Sequence, residues 1–355
     1  MNDITKMLIQ STTKIMKDVC TKEMVNDAEK GRWAAELWEV LAESGLLSIA
    51  VPEERNGNGG SYHDAFSVVR IAAKYSAPIP LAETLLANWL LADMGESVSE
   101  EPLTIAWKYS KPFAFRKSAE GWMVSGEAEG VPWARHAKRM LVIGTLGTEA
   151  VLTLLEPKKG TITLGQNMAG EARDTVTFSD ICLEHCRLIP VSAERVQEWI
   201  WYSGALMRTV MMAGALERIM ELTVAYSSER AQFGKLISQF QAVQHQLATL
   251  VGEATASDAA ANCAVEAFEK NKLSKEIAMA KIRVNEAVGI AAPVAHQVHG
   301  AIGFTHEHIL HQSTRRIWSW RDEFGSETEW GTRLAEELMR VDHNRLWSYI
   351  TEKSS

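Results

Sequence analysis

The side chains that could hold a charged ligand or move a proton are concentrated late in this chain. Arg230 to Ala248, RAQFGKLISQFQAVQHQLA, sets an arginine and several amides around a glycine break. The pattern predicts a helix running into Arg230, a break at Gly234 and a restart near Ser238, with Gln241 at the capping-box position. Such a junction could grip a diphosphate or nucleotide through charge-assisted hydrogen bonds and the positive end of the new helix. The same spacing fits a plain helix-loop-helix corner with Phe233 and Phe240 as core residues, and spacing alone leaves both readings open. Gln297 to Phe304, QVHGAIGF, follows a long helical stretch; Gly300 and Gly303 would let a ligand approach the main chain. Five histidines crowd nearby: His296, His299, His306, His308 and His311. His306 and His308 would diverge on a helix and no carboxylate has ligand spacing, so packed histidines are expected rather than a metal site. Cys182 and Cys186, with His185 between them, lack a second ligand pair, and again no metal is expected. No glycine-rich dinucleotide loop, P-loop or Gly-x-Ser-x-Gly elbow is present, which disfavours a nicotinamide enzyme, an ATPase and a serine hydrolase.

Composition narrows the classes further. The chain has 355 residues, enough for two or three packed regions, and 46% of them are hydrophobic, enough to offset ordering entropy. Lysine and arginine total 37 against 45 acids, a net charge of −8 that offers no general attraction for nucleic acid or an anionic membrane. An anionic ligand must therefore meet a local basic site. No apolar run reaches the roughly 18 residues of a membrane span, and the amino end lacks a signal-peptide core. Four cysteines make no disulfide framework, so a cytoplasmic protein is expected.

The elements that must position these residues change period twice. Residues 1–101 read as helices: Ala34, Leu37, Val40, Leu41 and Leu46 share a face, and Pro78 and Pro80 separate two further helical segments. Residues 102–192 carry short strand-like segments divided by turn residues, which predicts a small antiparallel sheet or barrel. Residues 193–355 return to long helical segments, with Ser274 as an expected N-cap and Ser326 to Glu329 as a capping box. The fold class is mainly α with a central β domain: an N-terminal helical domain, a small β-barrel domain and a C-terminal four-helix bundle. Trp199, Trp201, Trp318, Trp320 and Trp330 are expected to serve packing more than a ligand pocket.

Arg230, Phe233 and Gly234 (Arg-x-x-Phe-Gly), then Phe240 and Gln241, then Gln297, Gly300, Ala301, Gly303 and Phe304 (Gln-x-x-Gly-Gly-x-Gly-aromatic) resemble the acyl-CoA dehydrogenase family. The order of helical, β and helical regions agrees, as does GLLSIAVPEERNGNGG near the amino end. The resemblance implies FAD as cofactor, an acyl-CoA thioester as substrate, its α,β-dehydrogenation, and an electron-transferring flavoprotein as acceptor. It implies that Arg230, Gln232, Phe233 and Gln241 hold the pyrophosphate and adenosine of FAD, with Gln297, Gly300 and Ala301 closing around the same portion, across a subunit interface.

The chain departs from the family where the chemistry should occur. The glycine-rich loop that should meet the flavin ring is replaced by WKYSKPFAFRKSAEGWMVSG, and Pro132 or Trp133 stands where a hydroxyl is expected. Phe324 takes the place of the catalytic glutamate, with Asp322 and Glu323 adjacent, and no acid lies between Glu198 and Glu217, where some relatives place it. The retained motifs are those lent to a neighbour's FAD. The pattern therefore suggests one subunit of a heteromeric acyl-CoA dehydrogenase, completed by a paralogous subunit. Two alternatives stay open: a self-sufficient homo-oligomer using Glu323 or Asp322 as base, and a non-catalytic acyl-CoA-binding or scaffolding subunit.

Overall fold

The structure is a computed structural model and describes residues 3–119, 121–147, 149–183, 187–188 and 192–352. His185 and Cys186 lie outside these residues. The first helices are α1 (Asp3–Val19), α2 (Lys22–Ala28), α3 (Ala35–Glu43), α4 (Tyr62–Lys74) and α5 (Leu81–Asp93). Strands follow: β1 (Leu103–Ile105), β2 (Tyr109–Ser118), β3 (Gly121–Pro132), β4 (Arg139–Leu146), β5 (Glu149–Leu155), β6 (Thr161–Thr163), β7 (Arg173–Leu183) and β8 (Arg187–Leu188). The rest comprises α6 (Ala193–Glu229), the short strands β9 (Ala231–Gln232) and β10 (Lys235–Leu236), α7 (Gln241–Phe268), α8 (Lys275–His299), α9 (Leu310–Asp322), α10 (Glu327–Leu338) and α11 (Leu346–Thr351). The mainly helical class with a central sheet stands. Among the described residues no helix is long and apolar enough to cross a membrane.

The chain divides into two compact units, one of Glu23–Ala65 and Pro78–Ser203, the other of Met1–Lys22, Phe66–Ala77 and Gly204–Ser355. In the first, eight strands form one sheet in the order β6-β7-β3-β2-β4-β5-β8, with β1 beside β4. The sheet is not wholly antiparallel as the strand spacing suggested: β1 and β2 both run parallel to β4. The reason is the excursion through residues 133–138, which separates β3 from β4 and prevents a hairpin between them. Phe113 and Phe115, Met140 and Val142, and Val176 and Phe178 each point two residues apart into one core. Pro112 sits where the β2 register with β3 slips, because proline cannot donate to the ladder. In the same unit α5 is buried on every face. Its buried donors find carbonyls: Asn88 Nδ2 donates to Leu47 O at 3.0 Å and Trp89 Nε1 to Ile49 O at 2.9 Å, while Asn88 Oδ1 has no partner among the described residues.

In the second unit α8 is the central helix. Ala287, Ala291 and Ala295, interspersed with Val284 and Val288, form a narrow buried face that lets α7 approach through Leu250, Ala254 and Ala261. Ser274 occupies the N-cap position of α8, but its hydroxyl makes no cap hydrogen bond and is buried without a partner. Two charges stand among the buried residues of α8, Glu276 in the first turn and Lys281, which is fully buried. Its Nζ donates to Trp320 O at 3.0 Å, Arg321 O at 2.8 Å and Asn285 Oδ1 at 3.1 Å, three acceptors for three protons. Two of these are carbonyls left over at the end of α9, where the helix dipole favours a cation. Asn285, one turn along, donates to Arg321 O at 2.9 Å and Glu327 Oε2 at 3.3 Å. Beyond the corner, Glu329 N donates to Ser326 Oγ at 3.3 Å and Ser326 N to Glu329 Oε2 at 2.8 Å, so the expected capping box is present. Trp330, wholly buried, ties the corner down by donating from Nε1 to Phe324 O at 2.9 Å. Trp320 and Trp330 are core residues, as expected of most of the tryptophans.

Burial holds the Lys281 ammonium well below the ordinary lysine range, at about 7, against the opposing pull of Glu323. Between pH about 7 and the ordinary lysine value near 10.4, the unfolded chain keeps a proton that the folded chain has released. The stability of the wild type relative to Lys281→Met therefore rises with pH across that window, which denaturant unfolding at several pH values measures. Ser326→Ala removes the cap and lowers stability by about 1 kcal/mol, read as a lower urea midpoint at unchanged slope.

Candidate functional site

The Arg230 segment folds differently from a plain corner. Helix α6 ends at Glu229 and the chain makes a β9–β10 hairpin, with Lys235 opposite Gln232. Phe233 and Gly234 form its two-residue tip, both left-handed, at φ 50° and 79°. That turn type matches strand twist but is strained at a non-glycine position. Phe233 is 93% exposed, so it is not a core residue, and the corner reading fails on it. Its ring lies edge-on to half-buried Phe240 at 6.3 Å, and Lys235 Nζ sits 4.2 Å above the Phe240 ring. A 3-10 turn at Ile237–Gln239 follows, and α7 begins at Gln241, three residues after the expected restart at Ser238. No capping box forms; Phe240 holds the N-cap position with no side-chain cap, leaving the start of α7 with unsatisfied N–H groups. With its amide oxygen facing the guanidinium, Gln232 accepts from Arg230 Nη2 at 2.6 Å. An exposed guanidinium, two exposed amides, an exposed ring and an uncapped helix start suit a phosphate-bearing nucleotide.

The second predicted segment opens onto a cleft. Helix α8 ends at His299, and Gly300 turns out of it at φ 63°, with open space where a Cβ would stand. Pro293, His296, Gln297, Gly300, Ala301, Phe304 and Trp318 line a cleft of about 590 Å³. Phe304 is 72% exposed and stacks on His296 at 4.3 Å. Tyr226, four residues before Arg230, stacks on His299 at 4.5 Å, so the ends of α6 and α8 meet and both motifs emerge from adjoining helix ends. The histidines pack by their faces and bond locally: His299 Nδ1 to Ala295 O at 2.8 Å, and Leu310 N to His308 Nδ1 at 3.1 Å. Burial pushes His296, His299 and His308 below the ordinary histidine range, so they are neutral near pH 7. Arg230, Gln232, Gln241, Gln297, Gly300 and Ala301 thus all lie at the surface, the last three on the cleft, and their chemistry fits the pyrophosphate and adenosine end of FAD.

The flavin-ring end has no such fit. The segment replacing the glycine-rich loop is the regular strand β2, with Phe113 and Phe115 buried in the sheet. Trp133 is left-handed at φ 56° and 5% exposed, its ring 6.3 Å from His136, with no hydroxyl at that position.

The expected base position is filled by hydrocarbon. Phe324, left-handed at φ 56° and 3% exposed, lies against Gly204, where an added Cβ would overlap its ring. Gly204 stands ten residues before Gly214 on α6, so both places where a base was sought meet here and neither carries an acid. Asp322 is exposed at the end of α9. Glu323 is buried and turned to Arg208, whose Nε donates to its Oε2 at 2.6 Å. The Arg208 guanidinium also sits 5.4 Å from the Phe324 ring centre. Gly204, Arg208 and Lys281 were missed by sequence reasoning. The available signal was a cation set in an apolar run: Arg208 alone in GALMRTVMMAGAL, and Lys281 two residues before Arg283 in AMAKIRV.

Comparison with known proteins gives matches along nearly the whole chain. The family description "Acyl-CoA dehydrogenase, N-terminal domain" matches residues 2–100, and "Acyl-CoA dehydrogenase, C-terminal domain" matches residues 195–327. The acyl-CoA dehydrogenase FadE34 of Mycobacterium tuberculosis is 29% identical over 308 residues; the match takes in 83% of this chain but only 41% of that protein. The acyl-CoA dehydrogenase IpdE2 of Mycolicibacterium smegmatis is 25% identical over 341 residues, covering 95% of this chain and all of that protein. Among solved structures, the ChsE4-ChsE5 complex of Mycobacterium tuberculosis has the same fold, with a TM-score of 0.86 at 22% identity over 96% of this chain and 99% of that one. Matches to both helical domains, over a fold shared along nearly the whole chain, show that it belongs to the acyl-CoA dehydrogenase family of FAD-dependent oxidoreductases.

Proposed function

We propose that this chain is one subunit of a heteromeric FAD-dependent acyl-CoA dehydrogenase, lending FAD contacts to a site whose catalytic base and flavin-ring loop come from a paralogous subunit. The observation that carries this reading is the Phe324 ring packed on Gly204, taken with the exposed hairpin after α6 and the open cleft at the end of α8. When bound, FAD accepts the β-hydrogen of the acyl-CoA as hydride while a base removes the α-proton. In this reading Arg230 and Gln232 meet the pyrophosphate and Phe233 stacks on the adenosine. Gln241 and the free N–H groups at the start of α7 face the same anionic portion, and Gln297, Gly300 and Ala301 close over it. Phe324 cannot take a proton, and Glu323 would first have to leave Arg208. The heteromeric neighbour supports the assembly; an electron-transferring flavoprotein as acceptor, the cytoplasm as compartment and a division at residues 101 and 192 belong to the same reading.

Three measurements test it. The purified chain alone turns over no acyl-CoA, whereas mixing it with a paralogous subunit that carries a glutamate base gives a yellow complex of fixed stoichiometry; full activity of the chain alone rejects the proposal. In that complex Arg230→Ala weakens FAD binding about tenfold or more, the loss of a charge-assisted contact, measured by flavin fluorescence. Glu323→Gln leaves α-proton exchange of a bound acyl-CoA within about twofold of wild type, whereas a self-sufficient enzyme using Glu323 as base loses it by about a hundredfold or more.

A further inference from the structure

A second cavity in the helical unit has no part in the FAD-binding residues. It is enclosed by the end of α1, the end of α4, the middle of α6 and the first turn of α9, and measures about 220 Å³. That is the share of roughly seven waters and lies below the roughly 300 Å³ at which pockets for drug-sized molecules begin. A flavin or an acyl-CoA does not enter it.

The lining selects for negative charge. Lys17, Lys22, Lys74 and Arg218 all border the cavity. Two acids answer part of this charge. Lys74 Nζ pairs with Glu217 at 2.8 Å and Glu221 at 2.6 Å, and Arg218 reaches Glu221 at 3.5 Å. Lys17 and Lys22 have no carboxylate partner among the described residues; Lys22 Nζ donates to Glu307 O at 2.9 Å, and Lys17 is exposed at the rim. Ser76 and Ser313 line the same space, are 3% and 2% exposed, and their hydroxyls bond to nothing among the described residues. Ser313 stands in the first turn of α9, a 13-residue helix, so the positive end of that helix faces the same space.

The walls are fixed rather than fluid. Gln312 Nε2 donates to Lys22 O at 3.1 Å, Cys20 Sγ donates to Tyr75 O at 3.4 Å, and Arg218 lies over the Tyr75 ring at 5.8 Å. Burial pushes the Cys20 thiol up to about 12, so it is a wall residue and not a nucleophile. Two buried hydroxyls without protein partners and two cations without acids, among the described residues, and a helix start line a space with room for a phosphate-sized anion and a few waters. We propose that this cavity binds a small tetrahedral oxyanion of the phosphate class, with Ser76, Ser313 and the Lys17 and Lys22 ammonium groups as its ligands.

The test is isothermal titration of the full chain with inorganic phosphate against chloride at matched ionic strength. It is run on the wild type and on Arg230→Ala, which removes the nucleotide grip and so separates this site from the proposed FAD site. Saturable phosphate binding is expected in both. Lys17→Met and Ser313→Ala each weaken it about tenfold, the cost of one charge-assisted hydrogen bond, with an unchanged circular dichroism spectrum. Lys17 is exposed and without a protein partner, so its variant folds even if Ser313→Ala does not. Competition by glycerol 3-phosphate assigns the anion to a phosphoryl group of a larger molecule, and lack of competition assigns it to the free ion. The proposal is overturned by no saturable binding, by binding that Arg230→Ala abolishes, or by binding that Lys17→Met leaves unchanged.

Discussion

The helical unit depends on one constraint: a buried ammonium on α8 that holds the end of α9. Without Lys281 the carbonyl of Trp320 would lose its buried ammonium donor, a cost of about 1–3 kcal/mol, and Arg321 O would keep only the Asn285 amide. With it, the end of α9 and, through Asn285 and Glu327, the start of α10 are bound to the same two side chains of one helix. The four residues between them have little freedom. Phe324 takes a left-handed conformation that an aromatic residue does not adopt unforced, and Trp330 fixes its carbonyl. The position where a family base would project is thus held by hydrogen bonds on both sides, and a fixed backbone there is what placing a reactive group would need.

That this corner presents a phenyl ring is therefore informative. Gly204 and Phe324 are complementary: the absent side chain of one makes room for the ring of the other, and either position could carry an acid only if the other yielded. A chain that had merely lost its base would need no such fit. The surface motifs show the opposite character. Phe233 gains nothing from burial, sits in a strained turn and still projects fully into solvent. Backbone strain and an exposed ring both oppose stability, so their presence together points to a bound state in which they are repaid.

Much of this was legible in the sequence because it depends on local rules. The helix and strand periods, the proline separators before α5 and the Ser326 to Glu329 box all follow from spacing. The two nucleotide motifs were legible as residue types, although the Arg230 segment made a hairpin where a helical corner also fitted. A type I′ tip usually shows itself as Asn-Gly, and Phe-Gly hides it. The parallel strand pairs and the Lys281 clamp were not legible. They join residues 30 to 40 positions apart, and no local period records which buried carbonyl a distant lysine will meet.

Glu323 shows how a partner distant in sequence sets the surroundings of a carboxylate. It adjoins the expected base position and carries the right functional group, yet its carboxylate is buried against Arg208, itself 1% exposed. Removing one partner of a buried ion pair strands the other charge, at roughly 3–5 kcal/mol, so each residue holds the other in place. The same pairing makes Arg208 necessary: α6 is otherwise apolar on this face, and an arginine would be intolerable there without an acid. The Arg208 guanidinium then shields the Phe324 ring from one side while Gly204 receives it from the other. Acid, cation, ring and glycine close the corner as a unit, and a proton acceptor cannot be introduced at any one of them without disturbing the other three.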